Sequence, residues 1–224
     1  MDKGIFITGT GTDVGKTYVT ALIVKKLNEQ GIKTGYYKAA ISGANSIENS
    51  DAGYVKKISK INQKEDTLLS YIYETPVSPH LASKIEGNPV NMTKILKDFN
   101  RVKNEYDFVV VEGSGGIVCP IRYDNIENIF LEDIIKKLEL KSLIVADAGL
   151  GTINSVVLTV SYMKSKNITV SGIILNNYKG GIMEEDNIYM IEKITGVKVI
   201  SCVSKDDKDI YIDEKYLKLI TGGF

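Results

Sequence analysis

Residues Gly9-Thr-Gly-Thr-Asp-Val-Gly15-Lys16-Thr17 bring together the residue types that hold a polyphosphate. They follow the apolar run Ile5-Phe-Ile-Thr8 and open the helix-like stretch Tyr18–Gln30. A strand, a glycine-rich loop ending Gly-Lys-Thr and a helix make a phosphate cradle. Backbone N–H groups and the helix N-terminus point inward, Lys16 supplies charge, and the Thr17 hydroxyl can hold Mg²⁺. The spacing is unusual, because five residues separate Gly9 from Gly15 where the common form has about four, and Thr10 occupies the strict position. A plain glycine-rich turn would not need the strand before it and the helix after it. The segment predicts a bound nucleoside triphosphate.

Ligands of open α/β sheets bind outside the carboxyl ends of the strands, so polar residues there carry the most weight. Lys38 ends the run Thr34–Lys38. It is either a second cation facing the phosphates or an anionic substrate, or a solvated lysine. In the first case two unit charges about 4 Å apart are worth roughly 4 kcal/mol at an effective dielectric of about 20. Asp51 stands at a helix start, in Asn49-Ser50-Asp51-Ala52. Capping that helix is the simpler reading, and a metal role requires Asp51 to fold back over the loop. Glu112 closes the apolar run Asp107–Val111 and leads into Gly113-Ser114-Gly115-Gly116. A carboxylate there needs a compensating charge, and Mg²⁺ on a neighbouring nucleotide takes one or two carboxylates among its oxygen ligands. Asp147 competes for that role, but its loop lacks the glycines that let backbone N–H groups approach a ligand. Asn176-Asn177 offers the paired donor and acceptor that a purine edge needs, or forms an ordinary turn. The lone His80 has no acid–base partner in sequence and reads as structural.

The elements that must position these residues alternate short β-branched runs with longer helical patterns, the mark of an α/β domain with a parallel sheet. Strands are expected at Lys3–Thr8, Thr34–Lys38, Asp107–Glu112, Ser142–Asp147, Val170–Asn176 and Val197–Val203, with Leu68–Tyr73 ambiguous in period. Runs such as Phe108-Val-Val-Val111 are apolar throughout, as burial on both faces by flanking helices demands. Helices are expected at Thr17–Gln30, closed by Gly31, at Asn91–Glu105, with Asn91 as N-cap, and at Ala52–Ser59, Ile129–Leu138, Ile153–Ser165 and Glu184–Ile194. Pro76 and Pro79 make Glu74–His80 a constrained loop, and the closing Gly222-Gly-Phe224 is expected to fray. No linker or repeat interrupts the pattern, so residues 1–224 read as one domain. A chain of this length buries roughly 70–75% of its unfolded surface in one core.

Twenty-eight basic and 28 acidic residues cancel. Zero net charge gives no general pull toward nucleic acid or an anionic membrane, so phosphate binding must be local. Cys119 and Cys202 have no metal-ligand spacing and read as reduced thiols of a cytoplasmic protein. No stretch of 18 apolar residues appears, and the N-terminus enters a strand at once, which predicts neither a membrane span nor a signal peptide.

Taken together, several motifs resemble the dethiobiotin synthetase family of ATP-dependent ligases in biotin synthesis. The matching pieces are Thr8–Thr17, Tyr37-Lys38 with Ser42-Gly43, Asn49-Ser-Asp51, Glu74–His80, Val111–Gly116, Leu150–Asn154 and Gly172–Asn176. They occur in the family's order over nearly the full length, and the long gap between Gly9 and Gly15 is the family's own form of the loop. The resemblance implies a P-loop NTPase-type, mostly parallel sheet with helices on both faces. It implies a cyclo-ligase acting on 7,8-diaminopelargonate, CO₂ and MgATP through a carbamate and a carbamic-phosphoric anhydride. Asp13, Val14, Gly15, Lys16, Thr17 and Tyr18 would line the phosphates, and Thr17, Asp51 and Glu112 would surround Mg²⁺. Lys38 and Lys16 would be the catalytic cations, and Thr12 and Ser42 would touch the diamine. Glu112, Gly113, Ser114 and Gly115 would contact nucleotide and substrate. Asn176 and Asn177, with Ser201, Cys202 and Val203, would surround the base. A homodimer is implied, with Gly151 and Asn154 of one copy completing the diamine site of the other. Ala39 and Ser201 stand where the family usually has Pro, and Asn177 where it often has Asp. The last two leave base preference open.

Other readings make different demands. A partitioning or nitrogenase-iron-protein type of switch ATPase carries an extra lysine early in the loop, and Gly9-Thr10-Gly11 has none. An amidation enzyme of cobalamin synthesis would need a glutaminase domain that 224 residues cannot hold. A non-catalytic nucleotide-binding module would lack turnover.

Overall fold

Seven β-branched runs pair side by side into one parallel sheet in the computed structural model, which describes residues 3–223. In chain order the strands are β1 (Gly4–Gly9), β2 (Thr34–Ser42), β3 (Leu69–Tyr73), β4 (Phe108–Gly116), β5 (Pro120–Tyr123), β6 (Asn128–Phe130), β7 (Lys141–Asp147), β8 (Val170–Asn176) and β9 (Val199–Val203). The large sheet runs β3-β2-β4-β1-β7-β8-β9, while β5 and β6 form a separate antiparallel hairpin. The helices are α1 (Lys16–Glu29), α2 (Asp51–Ser59), α3 (Pro79–Ile85), α4 (Met92–Glu105), α5 (Leu131–Leu138), α6 (Thr152–Ser165), α7 (Ile182–Thr195) and α8 (Glu214–Thr221).

Alternation along each strand explains the apolar runs. Ile5, Ile7, Tyr36 and Val110 face one core, shared with α1, α2 and α8. Phe6, Tyr37, Val109 and Val111 face the other, shared with α4, α5, α6 and α7. Each fully buried aliphatic side chain contributes about 1.5–3 kcal/mol, so the doubly covered centre holds the sheet together. The expected α/β architecture is therefore observed. Among the described residues no helix is long and apolar enough to cross a membrane.

Local signals act as anticipated at several ends. Asn91 caps α4, its side chain accepting from the Lys94 N–H at 3.2 Å. Gly31 takes the left-handed conformation just past α1, at φ 83°. Leu68–Tyr73, ambiguous in sequence, contains the edge strand β3 (Leu69–Tyr73), paired with β2.

Elsewhere the structure corrects the expectation. β2 runs on to Ser42, so Lys38 lies within the strand and not at its end. β4 continues through the glycines to Gly116. Segment 74–80 is irregular only as far as Ser78, because Pro79 opens α3, where a missing N–H costs nothing. Ile129 belongs to β6, so the next helix starts at Leu131. The β5–β6 hairpin and α8 carry signals too short or too weakly periodic to read. Gly222 is the left-handed C-cap of α8, and Phe224 lies outside the described residues.

Candidate active site

The loop between β1 and α1 is bent by two left-handed residues, Asp13 at φ 60° and Gly15 at φ 86°. Gly15 is required twice over. Its φ suits glycine, and a Cβ there would lie 2.0 Å from Asn176 Nδ2. That amide donates to the Val14 carbonyl at 3.1 Å, so the end of β8 buttresses the loop. Lys16 curls back over the loop and donates to the Gly11 carbonyl at 2.8 Å. Burial, followed by the nearby charge of Lys38, lowers its pKa.

Beside the loop stands a buried cluster centred on Glu112. Lys38 and Glu112 are register partners of β2 and β4, on the face that also carries Tyr36. Lys38 Nζ lies 2.8 Å from Glu112 Oε1 and 2.5 Å from Asp51 Oδ2. Thr17 Oγ1 donates to the same Glu112 Oε1 at 2.8 Å, and Tyr36 OH donates to Oε2 at 3.0 Å. Lys38 and Glu112 are only 3% and 1% exposed, so neither could keep its charge here alone. Burial works against the Lys38 ammonium, but Glu112 and Asp51 outweigh it and hold its pKa above the ordinary value. Burial likewise opposes the Asp51 carboxylate, and Lys38, Thr17 and Lys16 together hold its pKa below the ordinary value. Burial, then the Glu112 charge, drives the Tyr36 phenol well above its ordinary value, so Tyr36 remains a donor.

The helix-cap reading of Asp51 does not hold. Ser50 is the N-cap of α2, its hydroxyl accepting from the Gly53 N–H at 3.3 Å. Asp51 is thereby free to turn its carboxylate toward Lys38. Nor is Lys38 a solvated lysine.

Thr12, Asp13, Gly15, Lys16, Thr17, Tyr18, Lys38, Asp51, Glu112 and Gly115 line one cavity of about 600 Å³. A second, of about 470 Å³, shares Thr12, Lys38, Asp51 and Gly115 with it and adds Ser42, Ser114, Cys119 and the 76–79 segment. Ser42 donates to the Val77 carbonyl at 2.5 Å, and Ser114 to the Ala40 carbonyl at 2.8 Å. Gly113 faces Phe6 and Leu131 in the core instead.

Other candidates lie apart. Asn177 turns away from the loop and donates to Asp147 at 2.7 Å. Asp147 also accepts from the Gly149 N–H and borders a different cavity. Ser201, Cys202 and Val203 sit in β9, two strands beyond β7. Burial, with Glu184 nearby, raises the Cys202 thiol to about 11. Gly151 and Asn154 are exposed at the start of α6, and His80 pairs with Ser78 at 3.0 Å. Tyr36, Asn49, Tyr54 and Cys119 border the site or its cavities, although the sequence assigns none of them a role there. The signal for Tyr36 was present, because residues two apart in a strand share a face.

The carboxylates of Asp51 and Glu112 meet at the Lys38 ammonium, and the Thr17 hydroxyl, in the first turn of α1, bonds Glu112. That set of hard oxygen donors suits Mg²⁺, which takes few protein ligands and completes its shell with phosphate and water.

A model described as an AAA domain matches residues 3–208. The chain is 52% identical over 221 residues to ATP-dependent dethiobiotin synthetase BioD of Brachyspira hyodysenteriae, covering 98% of this chain and 99% of the relative. It is 48% identical over 210 residues to the protein of that name from Clostridium perfringens, covering 92% of each. Among solved structures, a ParA family ATPase from Chlorobium tepidum matches with a TM-score of 0.57 at 14% identity, over 100% of this chain and 90% of that one. The MinD cell division protein of Aquifex aeolicus matches with a TM-score of 0.55 at 18% identity, over 99% and 86%. These two share the fold and no more, whereas the near-full-length identity to the synthetases decides the family. The chain belongs to the dethiobiotin synthetase family.

Proposed function

We propose that this site uses ATP to close the cyclic urea of dethiobiotin from 7,8-diaminopelargonate and CO₂. The observation that carries the reading is the junction of the two cavities at Lys38: one is edged by the phosphate loop, the other by Thr12, Ser42 and Ser114. A single ammonium there serves both a phosphate and a substrate bound alongside.

One amine of the diamine forms an N–C bond to CO₂ and loses a proton, giving a carbamate. A carbamate oxygen attacks the γ-phosphorus and the bond to ADP breaks. The second amine attacks the anhydride carbon, the C–O bond breaks, and phosphate leaves with the ring closed. Phosphoryl transfer is mainly positioning and charge stabilisation. Lys16 and the backbone of Asp13, Val14 and Gly15 hold the phosphates, Tyr18 lies beside them, and Lys38 neutralises carbamate and γ-phosphate together. Thr12 and Ser42 orient the diamine, and Ser114 and Gly115 close the wall between the two ligands. Asn176 meets the nucleotide from the far side of the loop, with Asn177 directly after it and Ser201, Cys202 and Val203 on β9.

Thr17, Asp51 and Glu112 would hold Mg²⁺, which supplies positive charge to the transferring phosphoryl group. Residues 1–224 act as one domain in the cytoplasm. The protein works as a homodimer through the start of α6, where Leu150 is 93% and Leu158 62% exposed on either side of Asn154. Such an apolar patch supports a second copy covering it and delivering Gly151 and Asn154 to the neighbour's diamine.

ADP release that requires both diamine and bicarbonate, with labelled carbon ending in a cyclic urea, tests the reaction. Vigorous ATP hydrolysis without diamine would overturn it in favour of a switch ATPase.

A further inference from the structure

We infer that the buried phenol of Tyr36 is a positioning residue for Glu112, fixing which carboxylate oxygen faces the metal and nucleotide. The inference rests on the reading of Glu112 as a metal ligand. A glutamate has two equivalent oxygens and a flexible stem, and something must decide how it presents them.

In this site the two oxygens are not equivalent. Oε1 accepts from Thr17 at 2.8 Å and from Lys38 at 2.8 Å, both of which line the phosphate cavity. Oε2 points the other way, toward Tyr36 OH at 3.0 Å. Tyr36 is 0% exposed and does not line the cavity. The phenol therefore contributes to the site only through Glu112.

Tyr36 is itself held through its main chain. Its backbone N–H donates to Gln63 Oε1 at 2.8 Å, and its carbonyl accepts from Gln63 Nε2 at 2.8 Å. Gln63 is buried and also donates to the Thr67 carbonyl and hydroxyl. A side-chain amide thus takes the place of a neighbouring strand along this stretch of β2, since pairing with β3 begins only at Lys38. Tyr36 and Lys38 are two residues apart and share a face, so Glu112, opposite Lys38, meets both. Partners that orient a metal ligand in this way typically matter about 10–100-fold in metal affinity.

Tyr36→Phe keeps the ring and removes the donor. The expected result is a Mg²⁺ half-saturation raised about tenfold or more, with kcat at saturating Mg²⁺ changed far less. Mn²⁺ binding to the ADP-loaded protein, followed by electron paramagnetic resonance, should weaken by a similar factor without any turnover. Tyr37→Phe is the control for a lost buried hydroxyl. Its phenol bonds Ser70 and the Ile95 carbonyl on the opposite face, and its variant should keep normal metal binding. Glu112→Gln and the double variant with Tyr36→Phe separate the two ideas. If Glu112→Gln weakens Mn²⁺ binding and Tyr36→Phe does not, positioning by Tyr36 is overturned while the metal reading stands. If Glu112→Gln leaves Mn²⁺ binding unchanged, the metal reading fails and this inference with it. Agreement requires the double variant to bind Mn²⁺ no worse than Glu112→Gln alone. That comparison also stands if Tyr36→Phe alone folds poorly, because the double variant buries no unpartnered carboxylate.

Discussion

Lys38 and Glu112 face each other across β2 and β4, and the ammonium of one lies 2.8 Å from the carboxylate of the other, both side chains almost wholly buried at the floor of the cavity. Each charge makes the other tolerable. Asp51 completes the arrangement from α2, so one cation answers two anions.

Removing that cation leaves Glu112 with only its hydroxyl donors. Lys38→Met should destabilise the protein toward the lower end of the roughly 3–5 kcal/mol typical of a broken buried pair. Mg²⁺ should restore part of the loss, since it replaces the missing charge between the same carboxylates. Thermal melting with and without Mg²⁺ reads this directly. A variant whose melting temperature rises no more with Mg²⁺ than the wild type's would argue against shared occupancy of that position. In kinetics, Lys38→Gln should lower kcat with ATP affinity little changed, the signature of an interaction made mainly in the transition state.

Lys16→Ala should fold and bind nucleotide weakly while losing about 10²–10³ in rate, the usual consequence of deleting one donor to a transferring group. Among the described residues the Lys16 ammonium donates to the Gly11 carbonyl of its own loop, so its removal breaks no hydrogen bond to another element. Activity within a few-fold of wild type would remove Lys16 from the chemistry.

How much of this could be read from residues alone divides along physical lines. The phosphate loop was legible because its function is written in local backbone demands, glycine where φ is positive and a helix after it. The sheet was legible because both its faces are buried and its strands are apolar throughout. Asp51 was ambiguous because Asp and Ser both cap helices, and only packing decided that Ser50 does so here. Lys38 looked solvated or functional alike, since its burial depends on Glu112, 74 residues away. The β5–β6 hairpin was hidden because its strands are short: each buries a single isoleucine, Ile121 or Ile129, in the core, and Arg122 ties the hairpin to Asp124 and Glu127.

Asp51→Asn and Glu112→Gln should each raise the Mg²⁺ concentration needed for activity, because each removes a negative charge near the proposed metal position. The helix supplies an internal control. Ser50→Ala should cost about 1 kcal/mol of stability through loss of the cap, with an unchanged Mg²⁺ requirement. Should Ser50→Ala and Asp51→Asn behave alike in both assays, the division of labour between them is wrong.

The hairpin carries its own pH signature. Asp124 is held down to about 2, by Arg122 first and then by the backbone N–H groups of Glu127 and Ile126. A carboxylate with a folded pKa below its unfolded value binds fewer protons when folded. Its contribution is therefore complete above about pH 4 and disappears as pH falls through about 2. Asp124→Asn should lower the melting temperature at neutral pH and flatten its fall between about pH 4 and pH 2. Parallel acid limbs for variant and wild type would show that this carboxylate does not couple to folding.

Complementation tests the proposed dimer. A Lys16→Ala subunit has a damaged phosphate loop but an intact α6, and a subunit altered at Asn154 has the reverse. If Asn154 serves the neighbour's diamine, each homodimer is impaired at both sites, while the mixed dimer contains one site with neither lesion and one with both. Mixing the two inactive variants should then restore up to roughly a quarter of wild-type activity, since about half the dimers are mixed and each holds one intact site of two. Leu158→Glu, which places a charge on the exposed apolar face beside Asn154, should shift sedimentation toward the monomer and abolish that restoration. Full activity from a species that sediments as a monomer would place the whole diamine site within one chain.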